Sequence, residues 1–347
     1  MKKFFILLGI SFGLFQSSAY ADALKNSLTN MLNEKEDPSS MVNLGGISLN
    51  EKPKAAPQNI KTRPGTAVIA TVNDHKIIKK EADSYLKQRT KGKVTDFDYL
   101  PPEQRKRLVQ ELSLPILVTD SAKKQLSEEE KEMLYTRAWM RKEALKMNIT
   151  DEQVMGVYNG LTHEARENNS TAAIPPFDTI KDRLKIQMLE KALVANLMKD
   201  VDIKVEDSGV AGTVNGMAIT FEESNKALEK LTKGQMTWEK LPADGKKQLI
   251  EMLAPAKLMT LESKKSLTVK EKEEASASFW MQKEMSKTEI SDKEAQDTYN
   301  KMKKATKNAK SSKEIPAFEA AKNRIKMQLA QEKVVTALMK NAKINVK

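Results

Sequence analysis

Residues 175–205, PPFDTIKDRLKIQMLEKALVANLMKDVDIKV, return as residues 316–346, PAFEAAKNRIKMQLAQEKVVTALMKNAKINV. Pro175, Phe177, Lys181, Arg183, Lys185, Gln187, Leu197, Met198, Lys199, Ile203 and Val205 reappear as Pro316, Phe318, Lys322, Arg324, Lys326, Gln328, Leu338, Met339, Lys340, Ile344 and Val346. In the first stretch Ile180, Leu184, Met188 and Ala192 make one helical stripe and Leu189, Leu193 and Leu197 another. A helix apolar on more than one side belongs at the centre of a fold. Ile203-Lys204-Val205 and Ile344-Asn345-Val346 then alternate as strands.

Working outward, the repetition extends over both flanks at the same spacing. Val72-Asn73 returns as Val214-Asn215, Leu100-Pro101 as Leu241-Pro242, Trp139-Met140 as Trp280-Met281, Ile149-Thr150-Asp151 as Ile290-Ser291-Asp292, and Tyr158-Asn159 as Tyr299-Asn300. Ordered matches with hardly a gap mean two tandem copies of one domain, not a solenoid. The copies are assigned to residues 66–205 and 210–347, joined by a linker at 206–209.

Each copy opens with a hairpin. Val210 to Thr220 is split by Asn215-Gly216, a pair that tolerates the positive φ of a type I′ turn, and Asn73-Asp74 is a weaker version. Pro115 and Pro255 are expected near helix boundaries, and Thr150-Asp151-Glu152 and Ser291-Asp292-Lys293-Glu294 as N-caps. A lone hairpin is marginal, whereas three strands on helices are stable. The closing strand of each copy is therefore expected to pair with that copy's own hairpin. The fold class is mainly α with small β, each copy a short hairpin plus C-terminal strand packed on a helical bundle.

The N-terminus carries Lys2 and Lys3, an apolar run from Phe4 to Phe15, and Ala19-Tyr20-Ala21. This is the order of a secretory signal peptide, residues 1–21, with cleavage expected after Ala21 and a periplasmic destination. The run is too short to span a bilayer of about 30 Å, so no transmembrane anchor is expected. Residues 22–65 combine an amphipathic segment, Leu24, Leu28, Met31 and Leu32, with a Pro- and Gly-bearing flexible linker. Those four apolar residues are candidates for docking on a partner.

The chain of 347 residues has net charge +12, two His and no Cys. Thiol catalysis, disulfides and Cys-based metal sites are excluded. Its lysines are interleaved with Glu along helical faces, the pattern of solvated surfaces and not of a nucleic-acid patch. With only His75 and His163, no triad can be assembled; no glycine-rich phosphate loop is present, and His163-Glu164 lacks the second His of a zinc helix. No enzyme activity, metal or cofactor is expected.

A Val-Asn-Gly-x-x-Ile-Thr hairpin, a Thr-Asp-Glu-x-Val-x-x-x-Tyr-Asn turn into helix, a Pro-Phe-x-x-x-Lys helix and a Lys-Ile-x-Val-like ending, in that order and twice over, resemble the chaperone domain of the SurA, PrsA and PpiD family. The resemblance implies two tandem SurA-like domains that bind unfolded or exported polypeptides, outer-membrane proteins among them, without ATP. In that family a parvulin prolyl isomerase domain usually separates the Tyr-Asn and Pro-Phe helices. Here Asn159 to Pro175 and Asn300 to Pro316 are short connectors that cannot house an independent domain. No prolyl isomerase activity is expected, and the family's catalytic histidines have no counterparts.

A holdase needs adaptable apolar surface, which Met supplies and aromatic rings anchor. Trp238, Trp139, Met140, Trp280 and Met281 are the candidate client-binding residues. Trp238 stands out because it lies in a loop, near the place that Phe97 takes in the first copy. The alternative is an adaptor or structural accessory protein of an envelope or secretion complex, tethered through Leu24 to Leu32. Separately, Glu167-Asn168-Asn169-Ser170-Thr171 fits an acidic extended glycosylation sequon with Asn169 as acceptor.

Overall fold

The computed structural model describes residues 61–167, 174–308 and 316–347, which carry ten α-helices and six short strands. The expectations for residues 1–21, for Leu24, Leu28, Met31 and Leu32, and for Asn169 lie outside the described residues. In chain order the first copy contributes β1 (Val68–Val72), β2 (His75–Ile78), α1 (Lys79–Arg89), a 3₁₀ turn (Phe97–Tyr99), α2 (Pro102–Gln125), α3 (Glu128–Ala144), α4 (Asp151–Glu167), α5 (Phe177–Leu197) and β3 (Ile203–Val205). The second repeats it as β4 (Gly212–Val214), β5 (Met217–Ile219), α6 (Phe221–Thr232), a 3₁₀ turn (Trp238–Lys240), α7 (Ala243–Ser266), α8 (Val269–Lys287), α9 (Asp292–Asn308), α10 (Phe318–Asn341) and β6 (Ile344–Val346). The chain is mainly helical with small antiparallel sheets.

Local chemistry accounts for the element ends. Asn215 (φ 48°) and Gly216 (φ 78°) make the tight turn between β4 and β5, where a left-handed backbone favours Asn and Gly. Asn73 takes the same conformation (φ 49°), but Asp74 does not follow it there. Thr150 and Ser291 cap α4 and α9: their hydroxyls accept from the Gln153 and Glu294 amides at 3.3 and 3.2 Å, and those side chains accept the Thr150 and Ser291 amides at 2.9 Å. Pro115 and Pro255 do not mark helix boundaries. Both sit inside 24-residue helices, α2 and α7. A proline removes one helical hydrogen bond, and the buried residues on both sides, Leu114 and Leu117 in α2 and Ala254 and Leu258 in α7, hold the helix together across the gap.

The strands pair in the orders β2-β1-β6 and β3-β4-β5. The closing strand of each copy thus joins the hairpin of the other copy, which corrects the expectation that each copy closes on itself. Val72 pairs with Ile344 and Ala70 with Val346, while Ile203 pairs with Val214 and Val205 with Gly212. The two turn asparagines fasten the exchanged strands in place. The Asn73 Oδ1 accepts the Lys343 amide at 3.1 Å while its own amide donates to the Lys343 carbonyl at 2.9 Å. Asn215 brackets Asp202 in the same way, at 2.9 and 2.8 Å. Since the two copies share these residues, either closing strand satisfies either hairpin by pattern alone.

Two compact units result, and they do not coincide with residues 66–205 and 210–347. One unit runs Ser127–Lys272; the other joins the segment ending at Leu126 to Glu273–Lys347. In the first unit, β3-β4-β5 and α7 bury Val214, Ile219, Leu228, Trp238 and Ile250, with Leu197, Met198 and Ile203 of the first copy packed against them. The 206–209 segment is a tight connection between two paired strands. There the Glu206 amide donates to the Ala211 carbonyl at 3.0 Å, and Gly212 is required because a Cβ would lie 2.6 Å from the Lys204 carbonyl. In the second unit Ile69, Val72, Ile77, Leu86, Phe97 and Val109 form the core, closed by Met339, Ala342 and Ile344 of the second copy. The end of the presumed linker is part of this unit, since Arg63 bonds Asp98 and the Pro64 and Gly65 carbonyls accept the Ala67 and Lys80 amides.

Candidate functional site

The aromatic candidates are packing residues. Trp238 is 2% exposed, Trp139 and Trp280 are also buried, and so is Met140; Met281 is half-buried. As exposed client-binding candidates the buried Trp238, Trp139, Met140 and Trp280 are corrected; Met281 keeps a partly open side chain. Trp139 and Met140 pack with Leu189, Leu193 and Met259. The Trp280 indole donates to the Gln125 Oε1 at 3.0 Å. Trp238 escapes exposure because its loop is a 3₁₀ turn, drawn in by the Asn225 Oδ1, which accepts the Trp238 amide at 2.8 Å.

The place of Trp238 in one unit is taken by Phe97 in the other, and the chemistry around them differs. Around Trp238 it is aromatic: Phe221 meets it edge-on at 6.0 Å and the Lys246 ammonium lies 5.2 Å from its ring. Around Phe97 it is ionic. Lys79, only 4% exposed, holds Asp83 at 2.7 Å and Asp96 at 2.8 Å. Burial pulls its ammonium down, but hydrogen bonds to Asp83 and Asp96 overcome this and leave it above its ordinary value. Asp98 is 5% exposed and accepts from the Arg63 amide at 2.8 Å and from its guanidinium Nε at 2.9 Å. Burial pushes that carboxyl up, and Arg63 outweighs it, so Asp98 titrates below its usual range. A further Arg63 nitrogen donates to the Lys347 carbonyl at 3.1 Å. Each carboxylate in this cluster has a cationic partner, and through Arg63 the cluster ties the segment before β1 to Lys347.

The accessible feature is the pair of helical hairpins, α4 with α5 and α9 with α10. Each is clasped by the same motif. Tyr158 meets Phe177 edge-on at 5.4 Å and donates to the Pro175 carbonyl at 3.1 Å; Tyr299 meets Phe318 at 5.5 Å and donates to the Pro316 carbonyl at 2.9 Å. Lys181 binds Asp151 at 2.6 Å, and Lys322 binds Asp292 at 2.7 Å. The Tyr-Asn and Pro-Phe signatures are thus the two halves of one clasp.

Outside the clasp the hairpins diverge. On α4, Val154 is buried and Tyr158 half-buried, while Val157 (38% exposed), Leu161 (39%) and Met155 (38%) flank them. With successive residues about 100° apart, Val157 and Leu161 form one rim and Met155 the other. The apolar arc of α4 is wider than the strip its partner covers. The equivalent residues of α9 are Thr298, Met302 and Gln296, and none of them is a large exposed hydrophobic. Sequence patterning placed Tyr158 on this helix but did not show that α5 leaves the rims of α4 open.

His75 pairs with Asp120 at 3.0 Å, and His163 lies 3.6 Å from Glu167. Among the described residues no three His, Asp or Glu side chains converge as a metal site, and no helix is long and apolar enough to cross a membrane. No known protein family, curated protein or solved structure matches this chain.

Proposed function

We propose that this protein is an exported, periplasmic holdase that binds unfolded polypeptides without ATP and without prolyl isomerase activity. The supporting observation is the open apolar rim of α4. Three large hydrophobic side chains, Met155, Val157 and Leu161, stay exposed on a helix whose counterpart in the second copy has Gln296, Thr298 and Met302 there. Large exposed hydrophobics concentrated on one element mark a binding surface. Met adapts to many partners, and a helix clasped at Asp151 and Tyr158 presents the rims without requiring a shape match.

The test is light scattering of a urea-denatured outer-membrane protein diluted into buffer with the full chain. Suppression at stoichiometric amounts is expected, and the triple variant Met155→Gln, Val157→Gln, Leu161→Gln should bind roughly tenfold more weakly. Absence of suppression at a large excess of protein overturns the reading. Stoichiometric capture of one folded partner instead would favour the adaptor of an envelope or secretion complex.

A further inference from the structure

The second hairpin carries a different surface. The apolar side of α9, built from Ala295, Tyr299, Met302 and Thr306, faces inward, and Ala295 and Tyr299 pack with Ala321 and Ile325 of α10. The rest of its second half is basic: Lys301, Lys303 and Lys304 are all exposed. At the equivalent positions α4 has Gly160, Thr162 and His163. The carboxylates at the start of α9 are already matched by α10. Asp292 lies 2.7 Å from Lys322 and 2.5 Å from Lys326, and Glu294 lies 2.7 Å from Lys333. These ammonium groups hold both carboxyls down to about 2. Asp297 lies one turn before Lys301, and Glu319 lies in the first turn of α10.

A helix C-terminus favours cations, yet α4 ends without such a cluster, so the lysines are not a requirement of the hairpin. Their chemistry selects the partner. Lysine ammoniums on flexible stems suit a diffuse field of headgroup phosphates, where arginine forks would suit fixed bidentate sites. The two rings of this hairpin, Tyr299 and Phe318, are spent in its clasp, so no stacking platform for nucleic-acid bases is offered. We propose that Lys301, Lys303 and Lys304 dock the protein on an anionic phospholipid surface. The copies then divide labour, α4 toward polypeptide and α9 toward the membrane. The lysine assignment stands whether or not the holdase reading does.

The test is co-sedimentation of the full chain with vesicles of phosphatidylcholine alone and of phosphatidylcholine with 30% phosphatidylglycerol. Each lysine near an anionic surface is worth about fivefold in partitioning, so Lys301→Gln, Lys303→Gln, Lys304→Gln should lose about a hundredfold on the mixed vesicles. A control with the same charge change on exposed lysines elsewhere, Lys226→Gln, Lys230→Gln, Lys240→Gln, should lose far less. Placing Lys on α4 through Gly160→Lys, Thr162→Lys and His163→Lys should tighten binding. Equal losses from both Gln triples, equal binding to neutral vesicles, or undiminished binding by the first triple would each overturn the proposal. So would tighter binding to a single-stranded oligonucleotide with the same lysine dependence.

Discussion

Removing the last four residues, Ile344 to Lys347, tests the exchange of strands directly. The deletion takes away β6, three register pairs with β1, the donation from the Lys347 amide to the Ile69 carbonyl at 2.8 Å, and the Arg63 contact to the Lys347 carbonyl. A net hydrogen bond is worth about 1 kcal/mol, and half-burying Ile344 against the core is worth about another 1 kcal/mol. The loss therefore comes to roughly 3–4 kcal/mol, which lowers the melting temperature of the affected unit by roughly 10 °C. Hydrogen exchange read residue by residue locates it. Protection should fall in Val68–Val72 and His75–Ile78, nearly the full length of the chain away, while Gly212–Ile219 stays protected by β3. Loss of protection in Gly212–Ile219 with Val68–Ile78 intact would refute the exchanged pairing.

Asp98→Asn should destabilise the unit that contains it by about 2 kcal/mol, the worth of hydrogen bonds to a buried charge. Because Asp98 titrates below its usual range in the folded chain, its contribution is complete above the ordinary carboxylate value and is lost as pH falls below about 4. Urea midpoints for parent and variant should differ by a constant amount from pH 7 to pH 5 and converge below pH 4; a gap that persists unchanged at pH 3 would contradict this. Trp139, Trp238 and Trp280 are all buried, so iodide should quench their fluorescence only weakly, and strong quenching would return one of them to the surface. The α4 and α9 triple variants described above should alter client and vesicle binding respectively while leaving the melting temperature within a few degrees.

Much of the architecture was legible because the chain states it twice. The alternating Ile203–Val205 and Ile344–Val346 strands, the Asn-Gly turn and the Thr150 and Ser291 caps are short-range signals, and each sits where its pattern places it. Partner choice is not short-range. Asn73 and Asn215 meet residues of the same register in either copy, so repetition erases the information that distinguishes self-closure from exchange. Trp238 misled for a related reason: its burial depends on Asn225 in α6 drawing a loop inward, which no local pattern announces. Pro115 and Pro255 misled because packing on both sides outweighs one missing hydrogen bond. The open rims of α4 were invisible for want of knowing how wide a strip α5 covers.

The unequal continuity of the two units sets a timetable for the nascent chain. Ser127–Lys272 is unbroken, so that unit can close once residue 272 has been made. The other waits for Lys347, which follows Arg63 by 284 positions. At about 5–20 residues per second, its hairpin, complete at Ile78, stands for roughly 13–54 s with the β1 edge unpaired. An open strand edge is a template for association with other chains. During that interval the protein is itself a client in need of shelter.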